Sequence, residues 1–457
     1  MTLSLDDVLK ATGGRLIAGS AAAPFTGITT DTRELGEGSL FIPLKGARFD
    51  GHDFLDQAAS AGATGVLVSR DGVTVPDGLA AVRVEDTLAA YGDIARYHRE
   101  RLGLTVVAVT GSSGKTSTKE AVAALLSHFL PVGKTHANYN NEIGVPKTLL
   151  TMTAEDKAVV VEMGMRGPGE IAYLASVARP DVGIITNVGT AHIGRLGTQE
   201  AIARAKGELV RVGGPAMAAV LNADDPLVMA QAADHAGPLV TYSLRPGTAT
   251  VWAEGEGLTF DACYQAGPKQ REGRIRLTLP VAGPHHRANA LAAVAVAWHL
   301  GLQLPDAFSF APTDLPGRAQ VLRLGSVEVV DETYNANPES VRSALAGFCE
   351  EPCEGRRIAV LGEMGELGTY AEVGHRAVGD AVRDLPIDYA FTVGEMSRWI
   401  ADQAPGKATH FDDKPALIAE LLATVKDGDR VFVKGSRSTR MEEIVQALTH
   451  HLGGHPA

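Results

Sequence analysis

The chain has 457 residues, 45% of them hydrophobic and 21% charged, which is typical of a globular protein too long for one ordinary core. Its formal net charge of −12 argues against a nucleic-acid partner that is held through phosphate contacts. No apolar run reaches the roughly 18 residues of a membrane span, and no signal-peptide pattern is present, so we expect a cytoplasmic protein.

The first section, residues 1–84, has the pattern of a small α/β domain. Short apolar runs at residues 65–68 and 79–84 predict strands, and residues 54–61 predict a helix. Residues 86–101 predict a longer helix that leads into the second section. We therefore expect the first domain to end near residue 84.

The second section, residues 85–311, alternates strand and helix patterns. Apolar runs predict buried strands at residues 104–109, 158–162, 182–186 and 218–221. Segments rich in Ala and Leu predict helices at residues 118–129, 200–210 and 287–300. This alternation is typical of a parallel sheet covered by helices.

A Pro/Gly-rich join at residues 311–317 leads into the third section, residues 312–457. Its apolar runs predict strands at residues 327–330, 358–361, 389–393 and 430–433. The renewed alternation predicts a smaller Rossmann-like domain. The predicted fold class is therefore α/β, with a small N-terminal α/β domain, a central P-loop-type domain built on a parallel sheet, and a C-terminal Rossmann-like domain.

A glycine turn joins the predicted strand at residues 104–109 to the helix after it. The turn consists of Gly111, Ser112, Ser113, Gly114, Lys115, Thr116 and Ser117. In such a turn the backbone N–H groups and the helix dipole face a phosphate. Lys115 would add a positive charge, and Thr116 a hydroxyl for Mg²⁺. Because Val109 stands where the common P-loop has glycine, the pattern indicates an ATP user outside the usual GTPases and kinases.

Four further positions could carry chemistry, and each has an ordinary structural alternative. Glu162 ends a predicted strand, where an acid can hold Mg²⁺ or remain a solvated surface group. His192 ends a polar loop and could be a ligand or a loop histidine. Lys206 could be a surface lysine, or a desolvated amine that reacts with CO₂ to give a carbamate, an oxygen ligand for a metal. The polar residues 331–338 suit ribose and base contacts or an ordinary turn, and the residues alone leave all four alternatives open.

Taken in this order, the motifs resemble those of the Mur ligases over essentially the whole chain. The most specific strings are NNEIGVP at residues 140–146 and YNANP at residues 334–338. Further matches lie at residues 30–33, 49–54, 110–116, 187–192, 205–208, 317–318, 361–368 and 434–438. Within the family, the chain is most similar to the enzymes that add D-alanyl-D-alanine to a UDP-MurNAc-tripeptide.

The resemblance implies a division of binding among the three domains. The first domain would bind the UDP end of the muramoyl substrate through Thr30, Asp31, Arg33, Asp50, Gly51 and His52. Asn138 and Asn141 would face the same substrate. The glycine turn would hold the ATP phosphates, and Asn289 would contact the adenine. From the C-terminal domain the nucleotide would be gripped by Arg318, Asp331, Tyr334 and Asn337.

The resemblance also implies the catalytic and metal-binding residues. Lys115 would bridge the β- and γ-phosphates. Thr116 and Glu162 would hold a first Mg²⁺, and His192 with carbamylated Lys206 would hold a second Mg²⁺ against an acyl phosphate. The implied catalytic residues are therefore Lys115, Glu162, His192 and Lys206.

Two positions depart from the family pattern. Residues 331–333 are Asp-Glu-Thr where Asp-Asp-Ser is frequent, which leaves open whether Asp331 or Glu332 contacts the ribose. His286 stands where an asparagine is frequent in the adenine motif, so Asn289 alone is assigned to the adenine.

The implied activity is an ATP-dependent amide ligation through an acyl phosphate, with ATP and Mg²⁺ as cofactors. The partners would be small molecules, and we expect a monomer without a membrane span. One alternative is another amide ligase of the Mur or folylpolyglutamate type, which the YNANP string and residues 361–368 disfavour. A second alternative is a P-loop kinase, which the absence of glycine at position 109 disfavours.

Overall fold

The computed structural model describes residues 3–20, 23–312 and 315–453, which form three separate sheets. The sheets have five, ten and six strands in chain order, so the predicted α/β class with three domains is confirmed. The boundaries predicted at residues 84 and 311 fall in connections between sheets and stay predictions. Within the join at residues 311–317, Thr313 and Asp314 lie outside the described residues. No described helix is long and apolar enough to cross a membrane.

The N-terminal sheet is built from short strands. They are β1 (Arg15–Ala18), β2 (Ile28–Thr29), β3 (Ser39–Phe41), β4 (Ala63–Val68) and β5 (Ala80–Arg83). Their order is β1-β5-β4-β3-β2, and only β1 runs antiparallel to its neighbour. Two helices accompany them, α1 (Leu5–Thr12) and α2 (Leu55–Ser60). The strands predicted in this section are confirmed as β4 and β5.

The central sheet has the order β15-β14-β13-β12-β11-β10-β9-β6-β8-β7. Its strands are β6 (Thr105–Thr110), β7 (Val132–Lys134), β8 (Ala158–Glu162), β9 (Val182–Ile185), β10 (Ala218–Asn222), β11 (Leu239–Ser243), β12 (Val251–Glu254), β13 (Thr259–Tyr264), β14 (Gly273–Thr278) and β15 (Ala307–Ser309). Its helices are α3 (Thr87–Leu102), α4 (Lys115–Ser127), α5 (Gly144–Leu150), α6 (Glu170–Ala178), α7 (Ile193–Leu196), α8 (Gln199–Gly213), α9 (Pro226–Met229) and α10 (Pro284–Leu300). The four strands predicted here are confirmed as β6, β8, β9 and β10.

The apolar runs of the central strands are continuous because both faces of this sheet are covered. Along β6, Val106 and Ala108 pack into a core that includes residues of α3, α6 and α8. Val107 and Val109 point to the opposite core, which includes α4 and α10. A strand that is buried on both faces carries no polar alternation, which is why these runs were readable as parallel strands.

The sheet also has an antiparallel part that the sequence patterns did not predict. Strand β13 pairs antiparallel with both β12 and β14. In β14 buried and exposed residues alternate, with Ile275 and Leu277 buried and Arg274 and Arg276 exposed. Alternation of this kind gives a weaker signal than a continuous apolar run.

The C-terminal sheet has the order β16-β17-β21-β18-β19-β20, with β16 antiparallel and the rest parallel. Its strands are β16 (Gln320–Leu324), β17 (Val327–Glu332), β18 (Arg357–Gly362), β19 (Tyr389–Val393), β20 (Ala408–Phe411) and β21 (Arg430–Lys434). Its helices are α11 (Pro338–Glu350), α12 (Ala371–Asp384), α13 (Arg398–Gln403), α14 (Lys414–Thr424) and α15 (Glu442–Leu452). Apolar cores lie on both faces, so the predicted Rossmann-like domain is confirmed.

The C-terminal domain is docked on the central domain. Nη1 of Arg287, on α10, lies 2.9 Å from Oε2 of Glu350, on α11. The Ala282 N–H donates to Oε1 of Glu351 at 2.9 Å. These contacts hold the C-terminal end of α11 against the start of α10 in the central domain.

Candidate active site

A cavity of about 670 Å³ lies between the carboxyl ends of the central strands and the C-terminal domain. Such an edge is where ligands bind in open α/β sheets. Most of the residues predicted to bind ATP line it, namely residues 112–117, Asn289, Arg318, Tyr334 and Asn337, and so do the predicted metal ligands Glu162 and His192. Asn138 and Asn141 line it as well. The described lining does not include Gly111, Lys206, Asp331 or the predicted residues of the first domain.

The glycine turn requires its two glycines for steric reasons. Gly111 follows β6 with a φ of 154°, and a Cβ there would lie 1.8 Å from Oγ1 of Thr186. Gly114 is the N-cap of α4 and has a left-handed φ of 75°. Because α4 begins at Lys115, the free N–H groups of its first turn border the cavity and favour an anion there.

Side chains after β9 hold the turn in place. Oδ1 of Asn187 accepts a hydrogen bond from the Ser113 N–H at 2.9 Å. Oγ1 of Thr186 donates to the Ser113 carbonyl at 2.7 Å. Within the turn, Nζ of Lys115 donates to the Gly111 carbonyl at 2.8 Å. Burial lowers the pKa of Lys115, and the carboxylate of Glu162 acts in the opposite direction.

Glu162 ends β8, is 2% exposed and is held from both sides. Its Oε2 accepts a hydrogen bond from Oγ1 of Thr116 at 2.7 Å. Its Oε1 accepts one from Nδ2 of Asn140 at 2.8 Å. A carboxylate and a hydroxyl in contact provide the hard oxygen donors that Mg²⁺ takes. These residues therefore fit the first predicted metal site, and the surface alternative for Glu162 is wrong.

Lys206 lies on α8 and is only 1% exposed, so the surface alternative is wrong for it too. Among the residues that the structure describes, none forms a hydrogen bond or ion pair with its Nζ. Burial, together with the charge of Lys115, places the pKa of Lys206 well below its ordinary value. A neutral amine is the form that reacts with CO₂. The lysine thus fits the chemistry of a carbamate, which stays a prediction.

His192 lines the cavity at the start of α7, with a left-handed φ of 67°. Its Nδ1 lies 2.6 Å from Oε2 of Glu366, although the two groups are not aligned as a hydrogen bond. Burial lowers the pKa of His192, Glu366 raises it, and the charges of Lys206 and Lys115 lower it again. A neutral imidazole is the form that binds a metal, so His192 fits the second predicted metal site.

Asn289, on α10, is buried and presents an unused amide. Its Oδ1 accepts a hydrogen bond from Oγ1 of Thr118 at 2.9 Å. Its Nδ2 is buried and has no hydrogen-bond partner among the described residues. Such an orphaned donor is costly in a finished structure and suits an acceptor on a ligand, such as an adenine nitrogen.

Two adjacent histidines stand beside Asn289 in the lining. The ring centroids of His285 and His286 are 3.9 Å apart. Burial lowers the pKa of both imidazoles. They therefore present neutral, flat surfaces next to the amide that is predicted to contact adenine.

The C-terminal domain adds an aromatic surface and a helix start. The guanidinium of Arg318 lies 3.6 Å from the ring centroid of Tyr334, a close cation–π contact. Oδ1 of Asn337 accepts a hydrogen bond from the Ser340 N–H at 2.8 Å and so caps α11. Asn337 thus has a structural role in addition to its place in the lining.

The two adjacent acids of this segment face different surroundings. Asp331 is buried, and its Oδ1 accepts hydrogen bonds from the N–H and the hydroxyl of Thr333 at 3.0 and 2.6 Å. Glu332 lines the cavity, and its Oε2 lies 2.7 Å from Nζ of Lys434. The nucleotide role of Asp331 stays a prediction, but Glu332 is the acid that the structure brings to the cavity.

The predicted asparagines before α5 differ in what they contact. Oδ1 of Asn141 accepts hydrogen bonds from the N–H groups of Ile143 and Gly144 at the beginning of α5. Asn138 lines the cavity next to it. Their neighbour Asn140, which was not singled out, is the one that contacts Glu162.

Thr30, Asp31 and Arg33 lie in the first domain, away from the cavity lining. Nη2 of Arg33 lies 2.6 Å from Oδ2 of Asp31, and Arg33 is largely exposed. Hydrogen bonds from Arg33 lower the pKa of Asp31 to about 2. The pair is accessible to a charged ligand, and its role in binding the UDP end stays a prediction.

Asp50, Gly51 and His52 form a second local network in the first domain. Nδ1 of His52 lies 2.6 Å from Oδ1 of Asp50, and Nε2 of His52 accepts a hydrogen bond from the Ser69 N–H at 3.1 Å. A Cβ at Gly51 would lie 2.7 Å from the Leu44 nitrogen. The conformation of this turn accounts for all three residues, and their role in substrate binding also stays a prediction.

Three further residues of the site were missed by the sequence reasoning. They are Asn140, Asn187 and Glu366. Each stands inside a string that was quoted as a family mark or flagged as polar, so the signal was present. What the sequence lacked was a way to tell which member of a polar string points inward.

Profiles of one protein family match three segments of the chain. Residues 24–99 match the Mur ligase family, catalytic domain. Residues 109–297 match the Mur ligase middle domain. Residues 317–437 match the Mur ligase, glutamate ligase domain.

Whole-length relatives agree with these matches. The UDP-N-acetylmuramoyl-tripeptide–D-alanyl-D-alanine ligase of Synechocystis sp. is 44% identical, over 92% of this chain and 91% of the relative. The Escherichia coli enzyme of that name is 38% identical, over 92% and 93%. The crystal structure of MurF from Acinetobacter baumannii aligns with a TM-score of 0.87 at 30% identity, over 98% and 99% of the two chains. The structure of MurF ligase from Thermotoga maritima in complex with ADP aligns with a TM-score of 0.82 at 30% identity, over 93% and 97%. Through these matches over nearly its whole length, the chain belongs to the Mur ligase family.

Proposed function

We propose that this protein joins D-alanyl-D-alanine to a UDP-MurNAc-tripeptide, using ATP and forming ADP and phosphate. The relatives that share 34–44% of its residues over most of the chain carry this activity in their names. The observation that carries the proposal is the cavity itself. It combines a phosphate turn, a buried carboxylate and a histidine close to a buried, unpaired lysine.

The first step would activate the peptide carboxylate. A carboxylate is a poor electrophile, so its oxygen attacks the γ-phosphate of ATP, and ADP leaves as the acyl phosphate forms. Both reactants are anions, so catalysis depends on positive charge and positioning. Lys115 supplies a positive charge at this place, and the first turn of α4 supplies free backbone N–H donors.

The second step would form the amide. The amine of D-alanyl-D-alanine attacks the acyl carbon, and the resulting tetrahedral intermediate expels phosphate. Thr116 and Glu162 would hold one Mg²⁺, and His192 with carbamylated Lys206 would hold another. Mg²⁺ would supply charge stabilisation for the phosphoryl and acyl oxygens. The docked C-terminal domain would keep water from the acyl phosphate.

The adenosine end of ATP would lie between the central and C-terminal domains. Nδ2 of Asn289 is the free donor for the adenine, and Arg318 with Tyr334 offers a flat cationic surface. Glu332, which lines the cavity, would accept a hydrogen bond from a ribose hydroxyl. The expectation of a monomer in the cytoplasm stays a prediction.

Release of phosphate tests the proposal directly. We expect phosphate release that requires ATP, Mg²⁺, the UDP-MurNAc-tripeptide and D-alanyl-D-alanine together, with one new amide per phosphate. Tripeptides ending in diaminopimelate and in lysine should be compared side by side. ATP hydrolysis that is indifferent to the dipeptide would exclude the proposed reaction.

A further inference from the structure

The loop that carries His192 is held by the C-terminal domain. Oγ1 of Thr190 donates a hydrogen bond to Oε2 of Glu339 at 3.0 Å. The Gly194 N–H donates to the Glu366 carbonyl at 3.1 Å. Ile193 packs against the apolar core of the C-terminal domain. The position of this loop therefore depends on the docked arrangement of the two domains.

Glu366 is the residue of this interface that touches His192. Its Oε2 is 2.6 Å from Nδ1 of His192, and its own backbone has a left-handed φ of 62°. A non-glycine residue in that conformation costs free energy, so surrounding contacts must enforce it. The Gly194 hydrogen bond to its carbonyl is one such contact. The interface thus holds the backbone of Glu366 where its carboxylate meets the imidazole.

A histidine that binds a metal through one ring nitrogen usually donates its other N–H to a carboxylate, a backbone carbonyl or a water molecule. The carboxylate fixes the tautomer and the direction of the ring. Here Nδ1 faces Glu366, which leaves Nε2 as the nitrogen available to a metal. The contact is close but not aligned as a hydrogen bond, so a small rotation of the ring or of the carboxylate would complete it.

We propose that Glu366 is a positioning residue that orients His192 for the second metal site, so that this site is complete only when the C-terminal domain is docked. The inference rests on the proposed function, because that function supplies the second metal. It adds a residue from another domain to the site, and with it a physical link between docking and metal binding.

The interface offers a matched control. Glu339 also crosses from the C-terminal to the central domain, but its carboxylate contacts Thr190 rather than His192. Loss of either glutamate removes one contact between the domains. Glu339 lines the cavity and helps to hold the loop of His192, but its carboxylate does not touch the imidazole, so its loss should leave the orientation of the ring unchanged.

The experiment counts Mn²⁺ bound to the full-length protein by electron paramagnetic resonance. The protein carries a non-hydrolysable ATP analogue and the UDP-MurNAc-tripeptide, with bicarbonate present. We expect two ions in the wild type, and in Glu366→Ala a weakening of one of them by about 10- to 100-fold. In Glu366→Gln the affinity for that ion should lie between those of the wild type and of Glu366→Ala. Glu339→Ala should bind both ions as the wild type does. In turnover, Glu366→Ala should raise the half-saturating Mg²⁺ concentration by a similar factor.

Equal weakening in Glu366→Ala and Glu339→Ala would overturn the proposal, because the contact would then serve docking alone. Unchanged binding in Glu366→Ala would overturn it as well. A single Mn²⁺ in a wild type that ligates normally would refute this inference and leave the proposed reaction standing. If Glu366→Ala binds one Mn²⁺ more weakly as predicted but the wild type forms no amide, the proposed reaction is refuted and the role of Glu366 at the metal site stands.

Discussion

Lys206 and Lys119 are both buried lysines, yet the structure predicts opposite effects when each is replaced by methionine. Lys206 is 1% exposed and has no partner among the described residues. Lys119 is fully buried, but its Nζ donates to the Thr135 carbonyl at 2.8 Å and lies 3.0 Å from Oε1 of Glu120. Methionine has a similar length and no charge, so the comparison isolates the amine.

The magnitude follows from the missing partner. Burying a polar group without a hydrogen bond costs about 1–3 kcal/mol in protein mutational data. Without CO₂, Lys206→Met should therefore raise the free energy of unfolding by about 1–3 kcal/mol, and the melting temperature by about 2–12 °C. Lys119→Met should lower stability by about 1–3 kcal/mol, because it leaves a buried carbonyl unpaired.

The pH dependence gives a second measure. The pKa of Lys206 in the folded chain lies well below its value of about 10.4 in the unfolded chain. Between those two values the unfolded chain binds more protons, so wild-type stability should rise with pH. Lys206→Met should lack this rise, and its advantage should shrink as the pH increases.

Differential scanning calorimetry in CO₂-free buffer, with ligation assays on the same samples, checks both quantities. Lys206→Met should be more stable and inactive, because a group that is kept for function often lowers stability. A lower melting temperature for Lys206→Met would refute the view that this amine is buried at a cost. Full activity would refute its role as a metal ligand.

Three further outcomes are expected. Gly111→Ala should lower stability and abolish ADP binding measured by titration calorimetry, because its Cβ would lie 1.8 Å from Oγ1 of Thr186. ADP binding as in the wild type would contradict the geometry of the turn. Asn289→Ala should weaken ADP binding by about tenfold, which is the value of one hydrogen bond. Asn289→Asp should weaken it to the same extent, because aspartate keeps the acceptor for Thr118 and loses the free donor. Purging CO₂ should lower the ligation rate of the wild type, and bicarbonate should restore it; a rate independent of bicarbonate would argue against a carbamate on Lys206.

The sequence was sufficient for the features that repeat a strong local pattern. Strands β6, β8, β9 and β10 are buried on both faces, so their apolar runs stand out against the rest of the chain. The phosphate turn was recognisable because glycine spacing, strand and helix coincide within residues 104–129. The strands β12–β14 were missed because a half-exposed strand has only a weak alternation.

The sequence was a poorer guide to which side chains point into the active site. Residues 331–333 include two acids, and the sequence does not show which of them faces the cavity. In the structure Asp331 accepts a hydrogen bond from Thr333, whereas Glu332 contacts Lys434. The contact of Glu366 with His192 joins residues of different domains, which no local pattern reports. Burial of Lys206 depends on the packing of α8 against the sheet and was visible only in three dimensions.

The approach of Gly194 to Gly368 has a mechanical consequence. A Cβ on Gly194 would lie 2.8 Å from the Gly368 nitrogen, and a Cβ on Gly368 would lie 2.8 Å from the Gly194 Cα. The two domains meet here main chain against main chain, so a rigid stop rather than a soft layer of side chains ends their approach. A side chain added at either glycine would consequently push the two domains apart at this point.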